Sequence, residues 1–287
     1  TPDYSSAASD VYKRQEGHNM DKMHPGLWQY TANNSPNPLP RTPFVCTDKE
    51  LFPLEFELIA TEPVTLEGLL QKLSQATVDE STLEEFFTAR SAPSMAERKP
   101  MLLLGELANP FQLSRLRLGI VPVINVRLGN LCRTYADSLD SRMINPGVHH
   151  VTLARTAGWW ESTHMAFVTT GQMKSMVEWL NGGKRGHWRP VRPREGIVKV
   201  ENSTVLCPPP EAVTWDGVTE TCIAAEPDCS GPQFDISDVI VPIHVRHGCY
   251  DNRGKIVRCA HVGQREFHAN YFRRGSSKQW QDILDIV

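Results

Sequence analysis

Two stretches of this 287-residue chain carry the same pattern, an apolar strand running into an amphipathic helix, and that echo constrains the fold most. In "LFPLEFELIAT", Leu54, Phe56 and Leu58 alternate with Glu55 and Glu57, the period of a half-buried strand. Pro63 breaks the strand and Thr65 is placed to cap a helix. Leu66, Leu69, Leu70 and Leu73 then recur at helical spacing. The second unit pairs the strand "STHMAFVTTG" with the helix "QMKSMVEWL", whose Met173, Met176, Val177 and Leu180 share one side. The echo is thus strand 54–60 into helix 65–75, and strand 164–170 into helix 172–180. "KPMLLLGELA" and "GIVPVINVRLG" supply strands between the units, and "GIVKVEN" returns as a strand after them. The expectation is an α+β chain with a ferredoxin-like βαββαβ core. Unrelated enzymes produce the same echo from tandem units, so it bears on fold and not on function.

Around this core the sequence divides into three. "SSAASDVYKRQ", Ser5 to Gln15, resembles translated adapter DNA from sequencing libraries, so residues 1–15 are set aside as a scar. On that expectation the natural chain begins at or after Glu16, with Met20 and Met23 as candidate starts. "TANNSPNPLPRTP" then reads as an extended Pro/Asn-rich arm, which completes a segment 1–44. The core is expected over 45–205. "CPPPEAVTWDG" marks a boundary, and 206–287 reads as a basic, Cys/His-containing, β-rich extension. A further helix is expected in "DESTLEEFFTAR", acidic at its start. "CRTYADSLDSRMINPGVHH" is polar and turn-rich and is assigned to no element.

The formal net charge of −3 gives no global sign of a nucleic-acid partner, so any such signal must be local. No apolar run approaches the roughly 20 residues of a membrane helix, and no signal peptide is visible. A cytoplasmic protein with no membrane partner is expected.

The local signal lies in "LNGGKRGHWRPVRPR". From 182 to 199 it sets Lys184, Arg185, Arg189, Arg192, Arg194 and Lys199 against Glu195 alone. Gly182, Gly183 and Gly186 allow positive φ, so backbone N–H groups can converge on an anion. Arginine forks suit phosphate oxygens. His187 and Trp188 offer flat faces on which an unpaired base can stack. No GKS or GKT is present, which excludes a Walker loop. The glycines follow a helix and precede a strand, which excludes a dinucleotide fingerprint. A solvated turn with Trp188 in the core fits the same residues. His187 is also a candidate acid or base for RNA cleavage; its only suggested partners are His164 and Tyr135.

The last third carries "HVRHGCYDNRGKIVRCAHVGQREFH", with Asn252-Arg253-Gly254 as a hairpin turn. That hairpin can bring Cys249 near Cys259, with His247, His261 or His268 beside them and Cys222 or Cys229 as further ligands. The set would permit tetrahedral zinc. No C-x₂-C pair is present, however, so free thiols and no bound metal or other cofactor are expected. From 240 to 278 eight Lys/Arg face only Asp251 and Glu266, a second patch for a polyanion or a solvated basic face.

Two places together resemble a family. "LEFELIATEPVTLEGLLQKL", with its Leu66-Glu67-Gly68-Leu69-Leu70 helix start, is similar to the first strand–helix unit of the CRISPR-associated RAMP proteins. "MAFVTTGQMKSMVEWLNGGKRGHWRPV" resembles their second unit with its basic glycine-rich loop. The resemblance covers about 50 of the 287 residues and is nearest to the subunit that caps the 5′ end of the guide RNA in Cascade-like complexes. "GHWRP" replaces the family's usual G-x-G, and the Cys/His region has no counterpart. What the resemblance implies is an RRM-like fold, guide RNA and other effector subunits as partners, and no nuclease activity. Gly182, Gly183, Lys184, Arg185 and Gly186 would be its RNA-contacting loop. Two other classes remain open: a capsid-like structural protein of a virus or mobile element, and a metal- or His-dependent nuclease.

Overall fold

The computed structural model describes residues 23–29, 39–58, 65–139, 149–183, 186–201, 213–215, 220–222, 231–245, 249–252, 255–260, 262–271 and 276–278. Strand β1 (Phe44–Cys46) and β2 (Leu51–Pro53) form a short hairpin. Beyond it Leu54, Phe56 and Leu58 are buried while Glu55 and Glu57 face out, so the expected alternation is present. Ladder bonding there is confined to a bridge between Glu55 and Thr77. Helix α1 (Leu66–Ser74) starts at Thr65, whose Oγ1 accepts the Gly68 N–H, and buries Leu69 and Leu73.

The acidic pair Asp79-Glu80 was expected to open a helix and instead turns a hairpin between β3 (Thr77–Val78) and β4 (Ser81–Thr82). Both residues have positive φ, the backbone a two-residue turn of this type requires. Helix α2 (Leu83–Ala89) begins only after it, closed by a capping box between Thr82 and Glu85. Then come β5 (Lys99–Leu103) and α3 (Pro110–Arg115), the latter capped by Asn109 with Pro110 at its first position.

The spine is one hairpin of unusual length, β6 (Val121–Leu139) against β7 (His149–Val168), strands of 19 and 20 residues. Strand β6 runs through "CRTYADSL", which the sequence left unassigned. The register shifts twice, between Tyr135 and Leu139 and, closer to the middle, where Gly129 faces Trp160 and Leu131 faces Arg155, so β7 spends four residues where β6 spends Asn130. Asn130 and Gly158 take positive φ there, and the Asn130 Oδ1 accepts the Gly158 N–H.

Around the near half the sheet runs β2-β1-β6-β7-β5, antiparallel throughout. Strands β5, β6 and β7 are buried on both faces there, as continuous runs such as "MLLL" in β5 require. Leu102, Ile124, Met165 and Phe167 pack with Leu69, Leu73, Phe86 and Phe87 of α1 and α2. Met101, Leu103, Val123, Ala166 and Val168 pack with Leu113 of α3 and Met176 and Leu180 of α4 (Thr170–Asn181). The fold is therefore α+β, with helices on both faces of an antiparallel sheet. A ferredoxin-like core would place α1 and α4 on the same face; here they lie on opposite ones.

Strand β8 (Trp188–Val191) does not return to the main sheet after α4. Strand β9 (Ile197–Val200) does, against β6. The paired segments β10 (Val213–Trp215) and β11 (Glu220–Cys222) follow. Beyond them β12 (Gln233–Asp235) pairs with β9, and β13 (Val241–His244) pairs with β8. Described residues on both sides of position 205 thus share one packed body. Strand β14 (Cys249–Asn252) forms the expected hairpin with β15 (Lys255–Ile256) and also borders β6 and β16 (Ser276–Lys278). The segment after β15 is pinned to the far half of the spine. Thr134 Oγ1 donates to the Val257 carbonyl, the Tyr135 hydroxyl donates to that of Val262, and Tyr135 stacks on Phe267. Among the described residues no helix is long and apolar enough to cross a membrane.

Of the arm, only residues 39–43 are described, and they pack against the body. Leu39 and Pro40 are buried, His164 Nε2 donates to the Pro40 carbonyl at 2.8 Å, and the Asn125 amide donates to that of Arg41.

Candidate nucleic-acid interface

Helix α4 stops at Gly182, whose left-handed backbone (φ 52°, ψ 37°) lets its N–H reach the Trp179 carbonyl. Gly183 and Gly186 also have positive φ, and a Cβ on either would meet open space. These glycines are there for backbone angle, not for room. The base of the loop is tied by Asn181: its Oδ1 accepts the Trp188 N–H at 2.8 Å, and its amide donates to the Val177 carbonyl at 2.9 Å. Asn181 was not singled out from the sequence, although a polar residue at the last helical position before paired glycines is a signal for such a closure. Lys184 and Arg185 lie outside the described residues.

Past the glycines the cations face solvent. Arg189, Arg192 and Arg194 are all exposed, and Arg192 donates to the Ser237 carbonyl at 3.3 Å, which anchors one of them to the neighbouring segment. Glu195 pairs with Arg155 on β7, so the acid of the stretch comes with a cation of its own.

Trp188 corrects one expectation. It is 3% exposed and sits in the core with Met176 and Leu180, because strand alternation turns it inward when Arg189 points out. It offers no free face to a base. His187 is half-buried and remains at the surface edge of the site.

His187 has imidazole neighbours that the sequence did not reveal. Pairing of β8 with β13 sets Trp188 opposite His244, and the His187 carbonyl accepts the Val245 N–H at 2.7 Å. The His187 ring meets the His244 ring edge-on at 5.5 Å, and His150 at the head of β7 stacks on His244 at 5.4 Å. Trp188 packs edge-on against both buried rings. The partners suggested from sequence are elsewhere: His164 is bonded to Pro40, and Tyr135 to Val262. Burial pulls His164 down to about 4, with Arg133 adding to the effect and the Pro40 bond opposing it.

Of the proposed zinc set, Cys229, His247 and His261 fall outside the described residues, and Cys222 and Cys249 are placed only as members of β11 and β14. Burial pushes the free Cys259 thiol up, which disfavours the thiolate a metal would take. His268 Nδ1 lies 3.0 Å from His149 Nε2, an imidazole pair beneath Phe267. Among the described residues no three His, Cys, Asp or Glu side chains converge on a point that would hold a metal ion. Comparison of the chain with protein-family models, curated proteins and solved structures gives no match.

Proposed function

We propose that this chain binds the backbone of single-stranded RNA through residues 182–194, as a guide-RNA-holding subunit of a CRISPR effector complex. The observation that carries the binding reading is the exposure of Arg189, Arg192 and Arg194 directly after a glycine turn tied at its base by Asn181. Such a surface contacts phosphates and reads no base. The assembly and its other effector subunits rest on the resemblance alone; the RRM-like core it also implies has no support in the packing of α1 and α4 on opposite faces of the sheet.

The test is binding of the full chain to a short single-stranded RNA across a salt series. Replacing Arg189, Arg192 and Arg194 together by Ala should weaken binding and flatten the salt dependence by about 2 units, at about 0.7 per lost phosphate contact. Unchanged affinity would return the loop to a solvated turn.

A second reading has an observation of its own. The contact of His187 with His244 supplies a neighbouring group of the kind that acid–base cleavage of RNA requires. On the binding reading, His187→Ala leaves any RNA processing intact. Loss of cleavage with binding preserved would make the chain a nuclease.

A further inference from the structure

The β1–β2 turn, the loop after α2 and the loop into β6 border an open pocket of about 460 Å³, within the size range of small-molecule sites. Gln172, near the start of α4, reaches it. The basic loop leaves the other end of that helix, roughly 15 Å away at 1.5 Å per residue.

Arg98 lines the pocket although the residue is only 2% exposed. Its guanidinium is held over the Phe87 ring at 4.4 Å and bonded to the carbonyls of Pro93, Ile120 and Phe167 and to Gln172 Oε1. All of these acceptors are uncharged. Among the described residues no carboxylate stands at ion-pair distance from it. Burial pulls Arg98 down to about 10, opposed by the more distant Glu84 and Glu97, so it is a cation at neutral pH. A guanidinium has five N–H groups, and these contacts engage four of them. One donor and an uncompensated charge remain.

Arg90 is the second cation of the pocket. It lies flat over the Phe86 ring at 3.6 Å, and Asp79 approaches it only to 3.9 Å. Phe52, Pro93 and Ile120 also line the pocket and add apolar surface to it. The lip carries Asp48 and Glu50 on either side of Lys49. Two acids at the mouth disfavour a polyanionic strand, whereas a small ligand can carry one anionic group past them to the floor.

We propose that this pocket binds a small organic oxyanion, a carboxylate or phosphate monoester head held by Arg98 and Arg90 with an apolar body against Phe52 and Ile120. Bidentate geometry at arginine suits either head, and the pocket is independent of the RNA-binding loop.

The full chain is titrated with benzoate and, separately, with phenyl phosphate, against sodium chloride at matched ionic strength, by calorimetry and by thermal shift. The expected result is saturable binding of at least one probe, and which one binds identifies the head group. Arg90→Gln, at the surface, should weaken it about tenfold, the loss of one charge-assisted hydrogen bond. Arg98→Lys keeps the charge but loses the fork and should weaken it too. Ala at Arg189, Arg192 and Arg194 should leave it unchanged. Saturation by neither probe, or an Arg90→Gln chain that binds as tightly as the parent, would overturn the proposal.

Discussion

Glu161→Gln should destabilise the protein by about 3–5 kcal/mol in urea unfolding, the cost of removing one partner from a buried ion pair. Glu161 is fully buried on β7, directly after the bulge opposite Asn130. Its Oε1 accepts from Arg133 Nε at 2.7 Å and from the Arg133 backbone N–H at 3.0 Å, and its Oε2 accepts from Trp159 Nε1 at 3.0 Å. Burial works to lower Arg133, but the Glu161 carboxylate, aided by Cys259 and Tyr135, outweighs it, so the guanidinium is held above its ordinary value. An amide keeps the shape of the carboxylate but leaves that largely buried cation uncompensated. Removing both charges is a different experiment: Arg133→Met with Glu161→Leu should recover most of the loss, because no charge is then left without its partner. A cost below about 1 kcal/mol for Glu161→Gln would show that the carboxylate does not hold this part of the spine together.

The bulge that positions Glu161 was beyond reach of the sequence. "RTAGWWES" has no feature that says four residues of one strand will face a single asparagine of the other. What was legible was local. The alternation of Leu54, Phe56 and Leu58, the Thr65 cap, the apolar side of α4 and the pairing of β14 with β15 all follow from neighbours a few residues apart. Short-range patterns misled at Asp79-Glu80, where acidic residues suited a helix start but served a turn with positive φ, and at 54–58, where the alternation of a strand is present but the only ladder contact among the described residues is the bridge at Glu55.

Long-range pairing was the other limit. His187 was visible in the loop, yet its neighbour His244 lies 57 residues ahead, and the His150 ring stacked on His244 comes from 37 residues behind. They meet only because β8 pairs with β13 and that ribbon lies against the head of β7. The inward turn of Trp188 has the same origin. A strand of four residues between a loop and Pro193 shows which side chains alternate, but its partner decides which face is covered.

His164 should make stability depend on pH in a window set by its own titration. The imidazole is buried on β7, donates from Nε2 to the Pro40 carbonyl, and leaves Nδ1 without a hydrogen-bond partner. Its folded value of about 4 lies below the ordinary 6.5 because burial penalises the charged ring. The sign follows from proton counting. Above pH 6.5 neither state is protonated and His164 contributes no pH dependence. Between pH 6.5 and pH 4 the unfolded chain takes up a proton that the folded chain refuses, so stability falls as the solution becomes more acid. The full loss, reached below pH 4, is about 3 kcal/mol at 1.36 kcal/mol per pH unit. His164→Gln keeps an N–H that can reach Pro40 but cannot take up the proton. The difference in unfolding free energy between the parent and this variant should therefore be constant above pH 7 and move by about 3 kcal/mol in favour of the variant as the pH falls to 4. Because the bonded carbonyl belongs to the arm, protease cleavage near residue 40 should rise over the same interval in the parent alone. A difference that stays flat from pH 7 to pH 4 would mean that the folded protein protonates His164 as readily as the unfolded chain does, and that the arm is held without it.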